Sequence, residues 1–545
     1  MLKQGPQGLA EAAYPICVVG SGPVGLALAT DLARQGIDTL LLESGGTSFN
    51  EPVQALSAAE LVDPTRHDEM IVAVARQLGG SSNLWGGRCL PYDPVDFVDR
   101  PYVDAGWPIG YDAIAPYMAR AVAATCSGAP VYKADAPLFD EEGGPFATDA
   151  LERWVNVQAS QTIFKHAIAS DPRLHVHTLS TVVGMDFAES GAVTAIDVAH
   201  SLSGERVKVP IRRLVIAAGG IETARLLLAT QRQAPQRFGG GDGPLGRYYM
   251  GHLMGEIADI VFRDAGIARA FDFFVDRHGS YVRRRIVPTM AAQLENGLLN
   301  SAFWPVVPPV ADPRHGSAIL SAAYLALSIP PLGRMIVAEA IRRRHVGNRP
   351  GNLGTHILNV ARGLPSAMAF AVSFLRRRHD RRYRLPGFFI LNDRNRFGLS
   401  YHGEQVPRRD SRVWLSGETD RLGLPSLTID LRFSTQDAES VVKTHDLLEA
   451  WLTRHDVGHL EHRCARDERA AMVLSQASHG THQIGVTRMG TSRHRGIVDG
   501  DLRCFDSPNL FLASCGVLPT SGQANPTFTV VALALRLADA LARDQ

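Results

Sequence analysis

Hydrophobic positions near the start of the chain form two short runs with a helical pattern between them. Ile16–Val19 is an uninterrupted apolar run, which predicts a buried parallel strand. After a glycine turn, residues 24–35 carry apolar side chains at helical spacing, and Gly36 ends that pattern. Thr39–Leu42 is a second apolar run, closed by Glu43. A strand, a helix and a strand within about 30 residues predict a βαβ unit.

Two later segments show the same alternation. Residues 174–201 contain strand-like stretches, another buried strand is predicted just before residue 217, and residues 221–230 have helical spacing. Residues 504–545 predict a strand, a loop rich in glycine and proline, and an amphipathic helix. Because these α/β segments lie far apart in sequence, we expect one discontinuous, Rossmann-like nucleotide-binding domain. Its predicted parts are residues 1–110, 174–252 and 471–545.

The remaining residues, 111–173 and 253–470, are assigned to a second domain. Its strand-like runs predict a sheet and lie at residues 255–264, 387–395 and 411–417. Residues 317–384 are helical in pattern and punctuated by arginines, which predicts a helical insertion. The predicted fold class is therefore α/β, with an α+β second domain.

Composition narrows the class of protein. The 545 residues are 45% hydrophobic and 20% charged, so the chain can bury a large core. Fifty-six basic residues balance 55 acidic ones, which argues against nucleic acid as a partner. The six cysteines form no C-x-x-C pair, so we predict neither a metal site nor a disulfide framework. We see no export signal and no apolar stretch of about 18 residues, and we expect a cytoplasmic protein.

The turn after the first strand carries the most specific motif. Residues 20–25, GSGPVG, match G-x-G-x-x-G between a strand and a helix. In this setting the glycines permit a tight turn and a close approach to a pyrophosphate, which the helix N-terminus attracts. Glu43 ends the next strand, where a carboxylate can accept hydrogen bonds from a ribose. The motif predicts a dinucleotide site but does not choose between FAD and NAD.

Three further segments are candidates for chemistry. The loop at residues 78–88, LGGSSNLWGGR, is rich in donors and could wrap a polar cofactor, or it could be an ordinary surface turn. His482 lies in a glycine-flanked loop, and Asn525 begins an Asn-Pro turn after the last strand. An isolated histidine is more often structural, but oxidation of an alcohol needs a group that takes the hydroxyl proton, which imidazole can do. His479, three residues earlier, is a competing candidate for substrate contact.

These motifs together resemble the glucose-methanol-choline (GMC) flavoprotein oxidoreductases. The glycine turn, GGSSNLWGG, AAGGIETARLLL, HQIGVTRMG and LPTSGQANPTFT occur in the family's order. The forms SSNLWGG and SCGVLPTSGQANPT are most similar to the branch of pyranose oxidases and bacterial sugar dehydrogenases. Residues 260–390 are poorly covered by the resemblance.

The resemblance implies an FAD site and a catalytic pair. His482 is similar to the family's catalytic histidine, and Asn525 occupies its second active-site position. At the position of Leu84, pyranose oxidases carry a histidine that links the flavin, so we expect noncovalent FAD. The residues expected to contact FAD are Gly20, Gly22, Pro23, Val24, Gly25, Glu43, Ser44, Gly80, Ser81, Ser82, Asn83, Trp85, Gly86, Val182, Ala218, Gly219, Glu222, Gly516, Asn525, Pro526 and Thr527.

The implied reaction is oxidation of a CH–OH group of a sugar, glycoside or cyclitol. His482 takes the hydroxyl proton, and the hydrogen on carbon leaves as hydride to flavin N5. The alternatives are oxidation of an aliphatic or aromatic alcohol and a redox-neutral lyase reaction. The electron acceptor stays open between oxygen, a quinone and a redox protein.

The helical insertion carries a separate hypothesis. Leu364–Leu375 is apolar and is followed by Arg376, Arg377 and Arg378, so it could rest on an anionic membrane or dock a partner. An ordinary buried helix with a solvated basic end is the alternative.

Overall fold

A computed structural model describes residues 2–11, 13–139, 143–337, 339–347, 350–380 and 382–544. Four residues of the predicted insertion, at positions 338, 348, 349 and 381, therefore lie outside the described residues.

The nucleotide-binding part is organised around a six-stranded sheet in which every pair of neighbouring strands is parallel. In spatial order its strands are Leu2–Gln4, Leu174–Thr178, Thr39–Leu42, Ile16–Val19, Arg213–Ile216 and Leu510–Leu512. Ile16, Val18, Leu40, Leu41 and Leu214 are fully buried, as expected for a parallel sheet covered on both faces. Segments distant in sequence thus join one sheet, which confirms the predicted fold class.

Helices pack onto this sheet through one continuous hydrophobic core. The first helix, Pro23–Arg34, and the last, Pro526–Arg543, contact each other and contribute buried apolar side chains to the same core. Helix Gly220–Gln233 follows the fifth strand of the sheet. Each of these three helices is preceded in the chain by a strand of the sheet and the loop after it. Their N-termini therefore lie at the carboxyl ends of the strands.

The second part contains a five-stranded antiparallel sheet. Its strands are Leu253–Gly255, Ala258–Phe262, Ser301–Val306, Arg396–Gly403 and Gly458–His462. Helix Thr435–Arg454 covers it through Ala438, Val441, Leu448 and Trp451, which form a second core with the sheet.

Smaller sheets complete the described residues. An antiparallel sheet contains Ser180–Phe187, Val193–His200 and Arg206–Pro210, and another contains Arg88–Cys89, Leu151–Trp154, Phe274–Val275 and Tyr281–Arg284. A third contains Ala59–Leu61, Arg412–Thr419 and Pro425–Asp430, and Phe146–Ala147 pairs with Val287–Pro288. The shorter helices outside the insertion are Glu51–Gln54, Met70–Ala73, Met118–Thr125, Ser160–Ile163, Lys165–Ser170, Ala265–Arg269, Met290–Asn296 and Arg469–Gln476.

The predicted insertion is helical where the structure describes it. Its helices are Ala318–Ser328, Pro330–Ile336, Glu339–Val346, Leu353–Arg362 and Leu364–Arg378. No single helix among the described residues is long and apolar enough to cross a membrane. The last two helices reach that length and apolarity only as a pair, and the chain bends by 91° between them.

One predicted strand is wrong. Residues 387–395 have no strand, and the strand begins at Arg396 instead. The apolar side chains in this segment contact other rings rather than forming a ladder: Phe388 packs edge-on against Phe370 and Phe374, and Phe389 stacks on Phe397. The apolar run at residues 387–395 therefore reflects packing between aromatic rings and not strand pairing.

Candidate active site

A cavity of about 470 Å³ lies at the carboxyl ends of the parallel strands. Residues that follow four of these strands line it, including Gly20, Glu43, Ala218 and Ser514. This is where open α/β sheets place their ligands, and the volume is within the range of about 300–1,000 Å³ of cofactor sites.

The first glycine turn forms one wall of this cavity. Gly20 has φ +101°, and a Cβ there would lie 2.6 Å from the carbonyl oxygen of Ala217. A Cβ at Gly25 would lie 1.9 Å from the carbonyl oxygen of Gly20, so only glycine allows helix and turn to pack this closely. Gly22 caps helix Pro23–Arg34, and a Cβ there would meet nothing within 4 Å, which leaves room for a ligand.

Glu43 is fixed behind this turn. Its Oε2 accepts hydrogen bonds from the backbone N–H and the hydroxyl of Ser21 at 3.0 and 2.5 Å, and its Oε1 accepts one from Gly45 N–H at 2.7 Å. Burial raises the pKa of the Glu43 carboxyl, against the opposing effect of these donors. The carboxylate thus connects the glycine turn to the end of the second strand.

The glycine-rich loop forms the opposite wall. A Cβ at Gly80 would lie 2.9 Å from Cα of Gly22, so the two loops touch. Ser82 and Asn83 do not line the cavity but hold the loop in shape, since Ser82 Oγ donates to Gly79 O at 2.6 Å and Asn83 Nδ2 donates to Gly80 O at 2.8 Å. The Trp85 indole N–H donates to Gln158 O at 2.7 Å, which orients the ring at the cavity.

Most of the other residues expected to contact FAD line the cavity, and a few lie behind its wall. Glu222 lines the cavity and forms an ion pair with Arg76, and the charges of Arg76 and Arg225 lower the pKa of Glu222 although burial opposes this. Three of the expected residues, Gly25, Gly516 and Pro526, pack behind the wall and do not line the cavity. Those that do line it are Gly20, Gly22, Pro23, Val24, Glu43, Ser44, Gly80, Ser81, Trp85, Gly86, Val182, Ala218, Gly219, Glu222, His482, Asn525 and Thr527.

Three helix N-termini open onto this cavity. Gly22, Gly219 and Asn525 are the N-caps of helices Pro23–Arg34, Gly220–Gln233 and Pro526–Arg543, and all three caps line the cavity. Helix N-termini stabilise negative charge and bind phosphate through their free N–H groups. The buried hydroxyl of Ser514 also faces this region, and the described residues offer it no hydrogen-bond partner. The walls therefore fit a long, phosphate-bearing cofactor.

His482 and Asn525 meet at one end of the cavity. Nδ2 of Asn525 lies 3.2 Å from Nε2 of His482, although the residues come from different loops. On the other side of Asn525, the partly buried guanidinium of Arg88 donates through Nε to Oδ1 at 2.6 Å. Because arginine is only a donor, this bond assigns the oxygen and the NH₂ group of the Asn525 amide. The NH₂ group must then face His482.

A second histidine lies on the far side of His482. Nδ1 of His252 is 2.9 Å from Nδ1 of His482, and Nε2 of His252 is 3.1 Å from the carbonyl oxygen of Ser521. Burial lowers the pKa of His252 to about 3, so its ring is neutral. A carbonyl accepts only, so the single ring proton of His252 is on Nε2 and its Nδ1 is an acceptor.

The contact of Arg88 with Asn525 and that of His252 with Ser521 set the direction of the hydrogen bonds between them. His482 must donate from Nδ1 to His252, so its own Nε2 carries the lone pair. That lone pair faces the cavity and receives the Asn525 N–H. The geometry therefore prepares Nε2 of His482 to take a proton, with an N–H donor beside it.

Two more histidines surround this chain. The His402 ring stacks on that of His252 with 4.2 Å between centroids, and burial holds the pKa of His402 well below its usual value. His479, the competing candidate, also lines the cavity, and its Nδ1 accepts the backbone N–H of His482 at 3.3 Å. One ring nitrogen of each of these four histidines lies within 4.8 Å of the others, as in a metal site. Arg88 places a positive charge against the cluster, which disfavours a divalent cation.

Known proteins resemble this chain over its whole length. A family model described as GMC oxidoreductase matches residues 407–534, and one described as FAD binding domain matches residues 13–60. The paromamine 6'-oxidase of Streptomyces fradiae is 23% identical over 98% of this chain and 92% of its own. The chain belongs to the GMC oxidoreductases. It binds FAD, in agreement with the fit of the cavity walls.

One further relative agrees with this membership, and a solved structure shows the same fold. The 6'''-hydroxyparomomycin C oxidase of Streptomyces lividus is 22% identical over 98% of this GMC oxidoreductase and 92% of its own chain. The crystal structure of a pyridoxine 4-oxidase from Mesorbium loti has the same fold, with a TM-score of 0.52 at 16% identity over 97% of this chain and 99% of that one.

Sequence reasoning missed three residues of this site. Arg88 ends the glycine-rich loop that the sequence analysis singled out, and His252 is the last residue of the predicted segment 174–252. His402 lies outside both, and only the pairing of strand Arg396–Gly403 with strand Leu253–Gly255 brings it to the cavity.

Proposed function

We propose that this GMC oxidoreductase oxidises a CH–OH group of a neutral sugar, glycoside or cyclitol to a carbonyl. The observation that carries the proposal is the hydrogen-bond chain from Arg88 to Ser521, because it leaves the lone pair of His482 Nε2 and an N–H of Asn525 at the same point of the cavity.

The chain's own residues act on the hydroxyl group of the substrate. Asn525 Nδ2 and His482 Nε2 are 3.2 Å apart, and the substrate hydroxyl binds beside this pair, where it replaces the Asn525 N–H as the donor to Nε2. Nε2 takes the hydroxyl proton, and the Asn525 N–H donates to the oxygen as it becomes negative. When bound, FAD supplies the acceptor for the hydride that leaves the same carbon.

Arg88 supports the developing negative charge. Burial lowers its pKa to about 10, so it remains a cation at neutral pH. Its guanidinium bonds to Asn525 and lines the cavity, where low dielectric strengthens its attraction for an alkoxide.

Charge around Arg88 also bears on the substrate. The buried carboxylate of Glu152 binds Arg88 and Arg283 together, and Arg285 is buried nearby. These three arginines outnumber the two carboxylates that interact with them, Glu152 and Asp93, and this excess of positive charge disfavours a cationic amine close to the reacting carbon. The relatives named as oxidases of paromamine and of 6'''-hydroxyparomomycin C support a glycoside as substrate class, and the charge favours a neutral one.

The test is anaerobic bleaching of the bound flavin by a panel of neutral sugars, cyclitols, amino sugars and simple alcohols. We expect the neutral sugars or cyclitols to bleach it fastest. Bleaching only by simple alcohols would overturn the substrate class, and no bleaching by any member would overturn the oxidation itself. Admission of air then separates oxygen from a quinone or a redox protein as acceptor by the rate at which the colour returns.

A further inference from the structure

The insertion contains a helix whose polar and apolar faces are reversed relative to a soluble protein. Helix Leu353–Arg362 buries His356 and Asn359, which bond to Ser321 Oγ at 3.0 Å and to Pro313 O at 2.9 Å. The same helix exposes Ile357 and Leu358 by 58% and 47%. A surface helix of a soluble protein turns its apolar face to the core.

The next helix also exposes apolar side chains. Helix Leu364–Arg378 buries only Ala367 among its described residues. Leu364, Met368, Val372 and Leu375 recur every three or four residues, so they lie along one face, and each is exposed by 48–60%. These residues and Ile357 and Leu358 of the preceding helix form what we call the apolar face.

Along the sequence, the two helices of the apolar face carry basic residues and no acidic ones, whereas Glu339 before them pairs with Arg342 and Arg343. Between Glu339 and Asp380 the sequence contains no acidic residue. The same stretch contains eight arginines, at positions 342, 343, 344, 349, 362, 376, 377 and 378. Arg362 and Arg376 are exposed and lie at the ends of the two helices.

We propose that the apolar face docks on an anionic membrane surface, with the two helices lying in the interfacial region. On docking, the exposed apolar side chains become buried in the membrane interface, and the arginines bind the anionic headgroups. The 91° bend prevents the pair from acting as one straight spanning helix, whereas two short helices in different directions can both lie in the surface plane. The absence of acidic residues favours an anionic lipid surface as the occupant, since nothing in this stretch would repel it.

Docking would also place one wall of the cavity near the membrane. Arg343 forms an ion pair of 3.8 Å with Glu69, the N-cap of helix Met70–Ala73, and Ala73 of that helix lines the cavity. Arg384 bonds to the side chain of Gln158, whose backbone carbonyl holds Trp85.

The test is flotation of the FAD-loaded full chain with vesicles of phosphatidylcholine, with and without phosphatidylglycerol. We expect the wild type to float with the anionic vesicles and to bind the neutral ones less. The variant Arg362→Ser/Arg376→Ser should bind anionic vesicles at least about tenfold more weakly, since each arginine near the surface contributes to binding. The variant Met368→Ser/Val372→Ser should lose binding to both kinds of vesicle.

Matched controls keep the result specific. Arg232→Ser/Arg454→Ser removes two exposed arginines elsewhere, and Met290→Ser/Leu294→Ser removes two exposed apolar residues elsewhere. Both controls should float as the wild type does, and all variants should keep their flavin. A wild type that does not float with anionic vesicles would overturn the proposal, as would equal losses in the controls. Dimers in solution that disappear in Met368→Ser/Val372→Ser, without any vesicle binding, would instead assign the apolar face to a second copy.

Discussion

The guanidinium of Arg88 donates to Oδ1 of Asn525 over 2.6 Å, and this contact orients an amide that lies 437 residues further along the chain. It makes Asn525 a donor toward His482 rather than an acceptor. Proton abstraction at His482 therefore depends on a residue that does not itself contact His482 in these hydrogen bonds.

Replacement of Arg88 should slow the chemical step. In Arg88→Met the Asn525 amide loses the bond that fixes its orientation and the cavity loses a positive charge, so we expect flavin reduction to slow by about 100-fold. Arg88→Lys keeps the charge but cannot reproduce the Nε–H donor, and it should fall between the two. The measurement is the anaerobic reduction rate at saturating substrate. Equal rates in wild type and Arg88→Met, at equal flavin content, would contradict this role.

His252 should act as a positioning residue through the ring proton of His482. In His252→Leu the Nδ1–H of His482 loses its acceptor, which disfavours the productive tautomer, and we expect reduction to slow about tenfold or more. In His252→Gln the amide can accept from His482 and donate to Ser521 O, so it should restore part of the rate. The pH profile of reduction should shift in His252→Leu and much less in His252→Gln. Identical profiles in both variants would exclude control of the tautomer.

Buried neutral histidines should make the protein less stable in acid. The pKa is about 3 for His252, about 4 for His445 and well below its usual value for His402, in each case mainly because of burial. Below about pH 6.5 these histidines bind protons in the unfolded chain but stay neutral in the native protein. The free energy of unfolding therefore falls as pH falls, by up to about 1.4 kcal/mol per pH unit for each ring.

His445 offers a control for this linkage outside the cavity. It packs against Phe303 and Tyr401 and bonds to Val441 O, and His445→Leu should flatten the dependence of unfolding free energy on pH between 6.5 and 4 by about one proton. Urea titrations at several pH values measure this slope. A slope unchanged by the substitution would show that burial does not lower the pKa of His445.

The flavin should be bound without a covalent link. Leu84 lines the cavity and has no nucleophile, so acid precipitation of the protein should release the yellow colour into the supernatant. Flavin that stays with the precipitate would contradict this expectation and would point to another attachment residue.

Local features of the sequence were sufficient to locate residues that line the nucleotide-binding end of the cavity. Gly20, Gly22 and Glu43 act within one βαβ unit, and their positions follow from a turn and two strands close together in the chain. The fold class is likewise confirmed, because apolar runs identify buried parallel strands wherever they occur. The exact domain boundaries and the roles of the individual site residues stay predictions.

The catalytic end could not be predicted to the same depth. Arg88, His252 and His402 come from three different strands or loops. They reach His482 only through strand pairing: Arg88–Cys89 pairs with Leu151–Trp154, and Leu253–Gly255 pairs with Arg396–Gly403. The wrong strand at residues 387–395 has a related cause, since the half-buried Phe388 packs against the side chains of Phe370 and Phe374 and not in a strand ladder. Pairings over such distances leave no periodic pattern in the chain.

The most direct test of the account is the anaerobic rate of flavin reduction by the best substrate in wild type and in His482→Ala. We expect the variant to keep its FAD, because His482 contributes one side chain to a long cavity, and to reduce it at least about 100-fold more slowly, because proton abstraction by a positioned base contributes about 10²–10⁴-fold. Reduction at the wild-type rate in His482→Ala would contradict the assignment of His482 as the base.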